Sequence, residues 1–299
     1  MSRIAIIGPG AIGGILAAWL TKAGRHEIFL CGRRPLPELR IEAPSGNFTY
    51  APDVFTRPDG IGRVDFVFIA TNAYAVAETA VWLPRLVSPE TTVAVLQNGV
   101  EHRERFSPYV PSAQILPVIV QIAAERRDSR VILQRGVARL VVPDSASGQA
   151  FAGLFSDTPV EAVFAANFID LLWRKLCGNA PGILNTLLLE PTRLMQDEAI
   201  AELTRAITRE CVAVGQAEGA RFDSDVVEAV LRGCRNAHPD SINSMHADRL
   251  AGRPVEVDER NGVIVRLGNK HGIATPYNTM AVTLLKAQTR LGLPHTRTA

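Results

Sequence analysis

The chain opens with IAIIGPGAIGG at residues 4–14, and this segment carries most of the information about its architecture. Residues 4–7 form a short apolar, β-prone run of the kind found in a buried parallel strand. The glycines that follow have the spacing G-x-G-x-x-G, and apolar residues then recur at helical spacing up to Gly24. A glycine loop between a strand and a helix is the context in which this motif binds a dinucleotide.

The three glycines of the motif have different physical roles. Gly8 permits a tight turn, Gly10 lets the backbone approach a pyrophosphate, and Gly13 allows the helix to pack close to the strand. The N-terminus of the helix then directs free N–H groups at the phosphates. The cofactor loop that this segment predicts consists of Gly8, Pro9, Gly10, Ala11, Ile12 and Gly13.

The end of the second predicted strand, residues 27–31, indicates which cofactor is used. An NAD site would place an aspartate or glutamate there to hold the ribose hydroxyls. This chain has Gly32 followed by Arg33 and Arg34 instead. A planar, permanently charged guanidinium suits a 2′-phosphate. The sequence therefore favours NADP(H), with Arg33 as the better candidate because it directly follows the glycine.

Strand and helix patterns alternate in the first half and give way to helices in the second. Further strands are predicted at 65–70, 92–96 and 160–164, a helix at 75–86, a hairpin from 115–124 and 130–142, and a polar loop at 143–148. Alternating strands and helices imply βαβ units with a parallel sheet. After about residue 165 we predict only helices, at 168–178, 198–219, 226–235, 243–250, 256–271 and 279–291. The predicted fold is a Rossmann-like α/β domain at 1–166 followed by an all-α domain at 167–299.

Composition and charge narrow the possible functions. The 299 residues include 32 Lys and Arg against 30 Asp and Glu, so a formal net charge of +2 provides no basic field for nucleic acid or an anionic membrane. We see no apolar run of membrane-spanning length and no signal-peptide pattern at the N-terminus. The four cysteines form no C-x-x-C pair, and the histidines do not cluster at ligand spacing, so we expect no metal. We expect a cytoplasmic protein.

Two segments of the second half contain candidate catalytic or substrate-binding residues. WRKLCGN at 173–179 places Lys175 and Asn179 four residues apart, on one helical face. SMHADRLAGRPVEVDERNG at 244–262 begins with Ser244 and has Glu256 at the start of a predicted helix, where the helix dipole favours a carboxylate. The residues alone do not decide whether either segment takes part in chemistry, because a lysine beside an arginine is commonly a surface charge.

Together these segments resemble the ketopantoate reductases (2-dehydropantoate 2-reductases), which are two-domain reductases of the 6-phosphogluconate-dehydrogenase-like group. The resemblance rests on GPGAIGG at 8–14, LQNGV at 96–100, WRKLCGN at 173–179 and the segment 244–262, and it covers nearly the whole chain. It implies NADPH-dependent reduction of 2-dehydropantoate to pantoate, a step of pantothenate and coenzyme A biosynthesis.

The resemblance also implies roles for individual residues. Lys175 is the general acid that protonates the ketone oxygen, and Glu256 binds the substrate hydroxyl. Asn98 sits between cofactor and substrate, while Asn179 and Ser244 hold the substrate. An ammonium at hydrogen-bond distance suits this chemistry, because hydride addition builds alkoxide charge on the oxygen.

The sequence departs from the family pattern at two positions. Ile183 stands where the family usually has a second asparagine, and Asn185, the nearest replacement, would lie off that face of an ideal helix. Asn72 stands where many members have a lysine that helps to bind the 2′-phosphate, and we keep Asn72 as a candidate cofactor residue. NADPH preference then depends more on Arg33 and Arg34.

Three functions stay open on the sequence. The first is reduction of 2-dehydropantoate, and the second is reduction of another 2-oxo acid or an opine-type dehydrogenation, for which Ile183 speaks. The third is a dinucleotide-binding sensor without turnover, against which the presence of Lys175 and Glu256 speaks. A helical second domain often supplies a dimer surface, so by analogy a homodimer is expected.

Overall fold

A computed structural model describes residues 1–36, 38–128 and 130–290 of the chain. By its internal contacts the chain divides into two compact units, Met1–Phe168 and Ile169–Ala299. The strands are β1 (Arg3–Ile7), β2 (Glu27–Cys31), β3 (Leu39–Glu42), β4 (Phe48–Tyr50), β5 (Val54–Phe55), β6 (Phe66–Ile69), β7 (Thr92–Val95), β8 (Ile115–Pro117), β9 (Ile119–Arg126), β10 (Val131–Pro143) and β11 (Val160–Ala165). The α-helices are α1 (Ala11–Ala23), α2 (Val76–Ala80), α3 (Leu83–Leu86), α4 (His102–Phe106), α5 (Ala146–Gly153), α6 (Phe168–Asn179), α7 (Gly182–Leu188), α8 (Glu198–Ala217), α9 (Val226–Asn236), α10 (Ser244–Leu250), α11 (Val263–His271) and α12 (Pro276–Arg290).

A six-stranded parallel sheet forms the framework of the first unit. Its strand order is β5-β2-β1-β6-β7-β8, and every neighbouring pair is parallel. After β1 the chain goes to β2 on one side and reaches β6 on the other, so the strand order reverses beside β1. Open parallel sheets bind ligands at such a switch point, outside the carboxyl ends of the strands. The predicted Rossmann-like fold is confirmed.

Alternate residues of β1 belong to the two cores of the first unit. Ile4 and Ile6 pack with α1 and the second sheet, whereas Ala5 and Ile7 pack with apolar residues of α3 and α4. Burial on both faces explains why the strand is a continuous apolar run and does not alternate with polar residues. Helix α1 ends where predicted, because Gly24 adopts a left-handed conformation with φ of 68°.

A second sheet, with the order β11-β10-β3-β4 and β9 paired antiparallel to β10, packs against α1. The predicted hairpin is confirmed as β9 and β10, but the sheet around it was not foreseen. Strands β3, β4 and β5 were missed because they are two to four residues long and only partly buried. The predicted loop at 143–148 is wrong from residue 146 onward, since Ser145 caps α5 by accepting a hydrogen bond from the backbone N–H of Gly148.

The second unit is helical throughout its described part, residues 169–290, where no strand occurs. The predicted helices correspond to α6 and α8 to α12, while α7 and a 3₁₀ turn at Thr192–Gln196 were missed. Asp197 caps α8 and Asn243 caps α10, each by accepting a bond from a backbone N–H three residues later. Residue 291, the last of the predicted final helix, lies outside the described residues.

Two of the predicted helices are not continuous α-helices in the structure. The helix predicted at 75–86 is two short helices, α2 and α3, because Pro84 cannot continue an α-helical hydrogen-bond ladder and instead lies in the first turn of α3. The helix predicted at 256–271 starts after Glu256 with a π-helical segment, Asp258–Gly262, which leads into α11. Wide turns of this kind are frequent at functional sites.

Candidate functional site

The glycine loop lies between β1 and α1, at the carboxyl end of β1. Gly8 has φ of +103°, a left-handed value that disfavours side chains, and a Cβ there would lie 2.8 Å from the backbone N of Thr71. A Cβ on Gly13 would lie 2.1 Å from the carbonyl oxygen of Gly8. These two glycines are thus required by the close packing of the loop itself.

Gly10 has no such structural requirement. A Cβ built on it meets nothing within 4 Å, so the space beside it is open. A pyrophosphate needs this kind of approach to a backbone, and the loop leads directly into α1, whose first N–H groups have no intrahelical partners. The residues present therefore fit a dinucleotide cofactor.

Arg33 and Arg34 follow the carboxyl end of β2, and both side chains are exposed. Arg33 forms a long ion pair with Glu78, 4.0 Å between nitrogen and oxygen, and its side chain keeps 90% of its full exposure. Such an exposed pair adds little stability and exchanges easily for another anion.

Asn72 and Asn98 follow the carboxyl ends of β6 and β7. The Nδ2 of Asn72 donates to the Tyr74 hydroxyl at 2.6 Å. Buried Gln97 ties the two loops together, because its Nε2 donates to the Asn72 carbonyl at 3.2 Å while its Oε1 accepts from Arg105 at 2.8 Å. Arg105 also donates to the backbone carbonyl of Asn98, which fixes the course of that loop.

The remaining predicted residues belong to the helical unit. Lys175 and Asn179 lie one turn apart on α6, Ser244 is the first residue of α10, and Glu256 lies two residues before the start of the π-helical segment. Glu256 is 6% exposed, so it is a buried carboxylate.

The environment of Lys175 lowers the pKa of its ammonium to about 8. Loss of hydration is the main cause, the positive charge of Arg260 acts in the same direction, and the negative charge of Glu256 opposes both. By surface area the residue as a whole is partly buried, and desolvation still has the largest influence on its ammonium. A lysine with this pKa exchanges its proton near neutral pH, as a general acid must.

Arg260 also belongs to this group, although the sequence does not single it out among the residues of the segment 244–262. It is 4% exposed, and its Nη2 donates to the Ser244 hydroxyl at 2.6 Å. Burial lowers the pKa of this guanidinium, and Glu256 and Asp248 favour its charged form. No periodicity distinguishes it from a surface arginine, because only the tertiary structure buries it.

Other residues of the 244–262 segment hold the site together. Asp248 accepts from Arg253 at 2.8 Å across the turn at Gly252, whose φ is +65°. Asn261 is fully buried and donates to the carbonyl of Ala180, beyond the end of α6, at 3.0 Å. These contacts fix the backbone on both sides of Glu256, and the segment works as one structural unit.

A cavity of about 330 Å³ lies in the helical unit beside these residues. Its lining residues are Gly178, Asn179, Gly182, Asn185, Thr192, Met195, Val230, Gly233, Cys234, Ala237, Asn243 and Arg260. Ile183 is fully buried outside this lining. Asn185 does line the cavity, but its Nδ2 donates to the carbonyls of Glu190 and Pro191 at 2.9 and 3.0 Å, so that amide group is already engaged.

The structure thus gathers the predicted residues into two groups. Gly8 to Gly13, Arg33, Arg34, Asn72 and Asn98 lie at the carboxyl ends of neighbouring strands in the first unit. Lys175, Asn179, Ser244 and Glu256 lie in the second unit, together with Arg260.

Two further findings concern the described residues only. They contain no cluster of three or more histidine, cysteine, aspartate or glutamate side chains arranged to hold a metal ion. No helix among them combines the length and the apolar character needed to cross a membrane.

Family models match both parts of the chain. Residues 4–147 match the model described as "Ketopantoate reductase PanE/ApbA", and residues 167–289 match "Ketopantoate reductase PanE/ApbA C terminal". Similar curated proteins are named 2-dehydropantoate 2-reductase. One, from Caulobacter vibrioides, is 46% identical over 96% of this chain and 99% of its own length. One from Mycobacterium tuberculosis is 40% identical over 95% and 97%.

Solved structures with the same fold cover almost the whole chain. The crystal structure of 2-dehydropantoate 2-reductase from Geobacter metallireducens has a TM-score of 0.90 and 25% identity, and it covers 96% of this chain and 100% of that one. A D-mandelate dehydrogenase with NADH and anilino(oxo)acetate has a TM-score of 0.87 at 22% identity, over 97% and 99% of the two chains. The second likeness concerns the fold alone.

Proposed function

Since the chain belongs to the ketopantoate reductase family, we propose that it reduces 2-dehydropantoate to pantoate with NADPH, the step that supplies pantoate for pantothenate and coenzyme A biosynthesis. The observation that carries this proposal is the group of Lys175, Glu256 and Arg260 in the helical unit. A desolvated lysine with a pKa of about 8, under the influence of a buried carboxylate, can exchange a proton near neutral pH, which supports a role in acid–base chemistry.

The reaction adds a hydride and a proton across the ketone C=O of the substrate. Bound NADPH supplies the hydride to the carbon. The Lys175 ammonium hydrogen-bonds to the ketone oxygen, stabilises the negative charge that builds there, and transfers its proton to that oxygen. Its pKa of about 8 suits this role, since the ammonium is largely protonated at pH 7 and still gives up its proton readily.

Glu256 has two roles in this proposal. Its carboxylate accepts a hydrogen bond from the substrate hydroxyl, and its negative charge raises the pKa of Lys175 against the effect of burial. We assign Asn179 and Ser244 to hold the rest of the substrate, and the position of Asn179 in the cavity lining and the hydrogen bond between Ser244 and Arg260 support this. Asn98, in the first unit, is the residue that we assign to both cofactor and substrate.

The cofactor is held by backbone and by exposed charge. The glycine loop Gly8 to Gly13 and the N-terminus of α1 take the pyrophosphate, and Gly10 keeps the approach open. Arg33 and Arg34 bind the 2′-phosphate, and Asn72 lies on the neighbouring loop. The exposure of Arg33 supports this assignment because its guanidinium is available to a ligand.

Two further expectations accompany the proposal. We place the protein in the cytoplasm, where reducing conditions suit the free thiols of Cys177 and Cys211.

We also expect a homodimer. A solved structure described as a dimeric ketopantoate reductase from Staphylococcus aureus has this fold at 24% identity, and light scattering on the purified chain tests the same state here.

The direct test is the loss of NADPH absorbance with a panel of 2-oxo acids. We expect 2-dehydropantoate to exceed 2-oxo acids without its hydroxyl by about tenfold or more in kcat/KM, the scale of one charge-assisted hydrogen bond. Equal turnover of hydroxylated and deoxy acids would favour a reductase of broader 2-oxo acid range. Tight NADPH binding without turnover of any acid would favour a dinucleotide-binding sensor.

A further inference from the structure

Arg260 is a buried cation whose hydrogen-bonding capacity is mostly unused. A guanidinium has five N–H donors. Among the residues that the structure describes, the Ser244 hydroxyl accepts from Nη2 at 2.6 Å, and buried Nε has no partner. Leaving a buried donor unsatisfied is costly, and such groups in native structures call for an explanation.

The charges around Arg260 indicate what kind of partner is missing. Lys175, Arg260 and Glu256 form a desolvated group in which two cations accompany one carboxylate. Asp248 also favours the charged form of Arg260, but it is already bonded to Arg253 at 2.8 Å. Glu259 is partly exposed and acts on Arg260 less than either Glu256 or Asp248. One further negative charge would balance the buried group.

The position of Arg260 in the lining of a cavity points to a bound ligand as the source of that charge. Arg260 lines the cavity of about 330 Å³ together with Asn179, which stands one helical turn from Lys175. In a 2-oxo acid the carboxylate is bonded directly to the ketone carbon. A substrate whose ketone oxygen faces Lys175 therefore places its carboxylate close by, within the same group of charges.

We propose that Arg260 binds the carboxylate of the 2-oxo acid substrate, donating from Nε and an Nη nitrogen while Ser244 holds the guanidinium in place. This inference rests on the proposed function, and it identifies the side chain that recognises the carboxylate group of the substrate. Arginine suits this task because its planar fork matches the two carboxylate oxygens. Glu256 then reads the hydroxyl and Arg260 the carboxylate, at separate points of one site.

The test compares two ligands that differ in one group, a charged carboxylate in one and a neutral amide in the other. Pantoate and its neutral amide keep the same hydroxyls, and their dissociation constants are measured by calorimetry with NADP present. The variants are Arg260→Met, which removes the charge at similar length, Arg260→Lys, which keeps it without the fork, and Arg266→Met as control. Arg266 is an exposed cation six residues further along the same helical stretch.

We expect the unmodified protein and Arg266→Met to bind pantoate about a hundredfold more tightly than the amide, the scale of a bidentate charge-assisted contact. In Arg260→Met that ratio should fall to within about fivefold, and Arg260→Lys should lie between, with NADPH affinity unchanged in all. An unchanged ratio in Arg260→Met or in Arg260→Lys, or an equal fall in Arg266→Met, would overturn the assignment. Absence of 2-dehydropantoate turnover in the unmodified chain would instead overturn the proposed function.

Discussion

The two units of this protein build their sites from different materials. In the first, the proposed cofactor site is a glycine loop that offers backbone to a ligand, and the charged side chains nearby, Arg33 and Arg34, are exposed. In the second, the proposed site consists of Lys175, Glu256 and Arg260, charged groups in a desolvated setting where the loss of water lowers the pKa of the lysine. A site formed by backbone depends on its shape. The second site, which we call the charge site (Lys175, Glu256 and Arg260), depends instead on burial and on the sum of its charges.

The largest effect should come from the charge site. Lys175→Ala removes the proton donor, and we expect kcat to fall on the order of a hundredfold or more while NADPH affinity changes little. Steady-state kinetics and fluorescence titration with NADPH measure the two quantities. Lys270→Ala is the matched control, because Lys270 lies at the surface in an ion pair with Glu218 and should give normal turnover. Turnover of Lys175→Ala at the rate of Lys270→Ala would remove Lys175 from the mechanism.

Within the glycine loop, one substitution should weaken NADPH binding without affecting folding, and another should lower the stability of the protein. Gly10→Ala adds a Cβ where no protein atom lies within 4 Å, so the protein should fold normally and bind NADPH about tenfold or more weakly. Gly13→Ala places a Cβ 2.1 Å from the Gly8 carbonyl oxygen and should lower thermal stability strongly. Thermal melts and NADPH titrations distinguish the two variants. Unchanged NADPH binding in Gly10→Ala would mean that no backbone approach occurs there.

The glutamate of the charge site should show its role through substrate choice. Glu256→Gln keeps the shape and removes the charge, so KM for 2-dehydropantoate should rise by about tenfold or more, the usual strength of a hydroxyl bond to a carboxylate. A 2-oxo acid without the hydroxyl should be affected much less. Kinetics with both acids measure the difference, and an equal loss for both would show that Glu256 does not read the hydroxyl.

The smallest effect should come from replacing Arg33, the exposed arginine that we assign to the 2′-phosphate of NADPH. Arg33→Ala should narrow the preference for NADPH over NADH by several-fold, because an exposed contact to phosphate is screened by solvent. Glu78→Gln offers the opposite change, since it frees Arg33 from its ion pair and should widen the preference slightly. Parallel affinity measurements with both cofactors give the ratio. Equal affinity for NADPH and NADH in the unmodified protein would contradict the assignment.

The two units also differed in how far the sequence revealed them. Strands β1, β2, β6 and β7 were predictable because strands buried on both faces are unbroken apolar runs. Short strands such as β3 and β5 carry too few residues for a period to appear. The roles of Gly8 and Gly13 followed from spacing alone, since each is a local backbone requirement, whereas the role of Gly10 toward a ligand stays a prediction.

The charge site was predictable only in part. Lys175 and Glu256 were found through the resemblance to a family, because a lysine beside an arginine has no chemical signature of its own. Arg260 follows Glu259 in the sequence and reads as a solvated charge, yet it is 4% exposed. Burial of a charge is a property of the tertiary structure, so neither the pKa of Lys175 nor the unpartnered Nε of Arg260 was accessible from the chain alone.

The most direct test of a proton donor tuned by its charged neighbours is the pH dependence of kcat/KM for 2-dehydropantoate reduction, which reports the free enzyme. The donor must be protonated, so activity should be full well below pH 8 and fall as the pH rises through about 8. Glu256 raises the pKa of Lys175 and Arg260 lowers it, so the fall should move to lower pH in Glu256→Gln and to higher pH in Arg260→Met. A profile that stays flat to pH 10, or a fall that shifts in the same direction in both variants, would contradict the account.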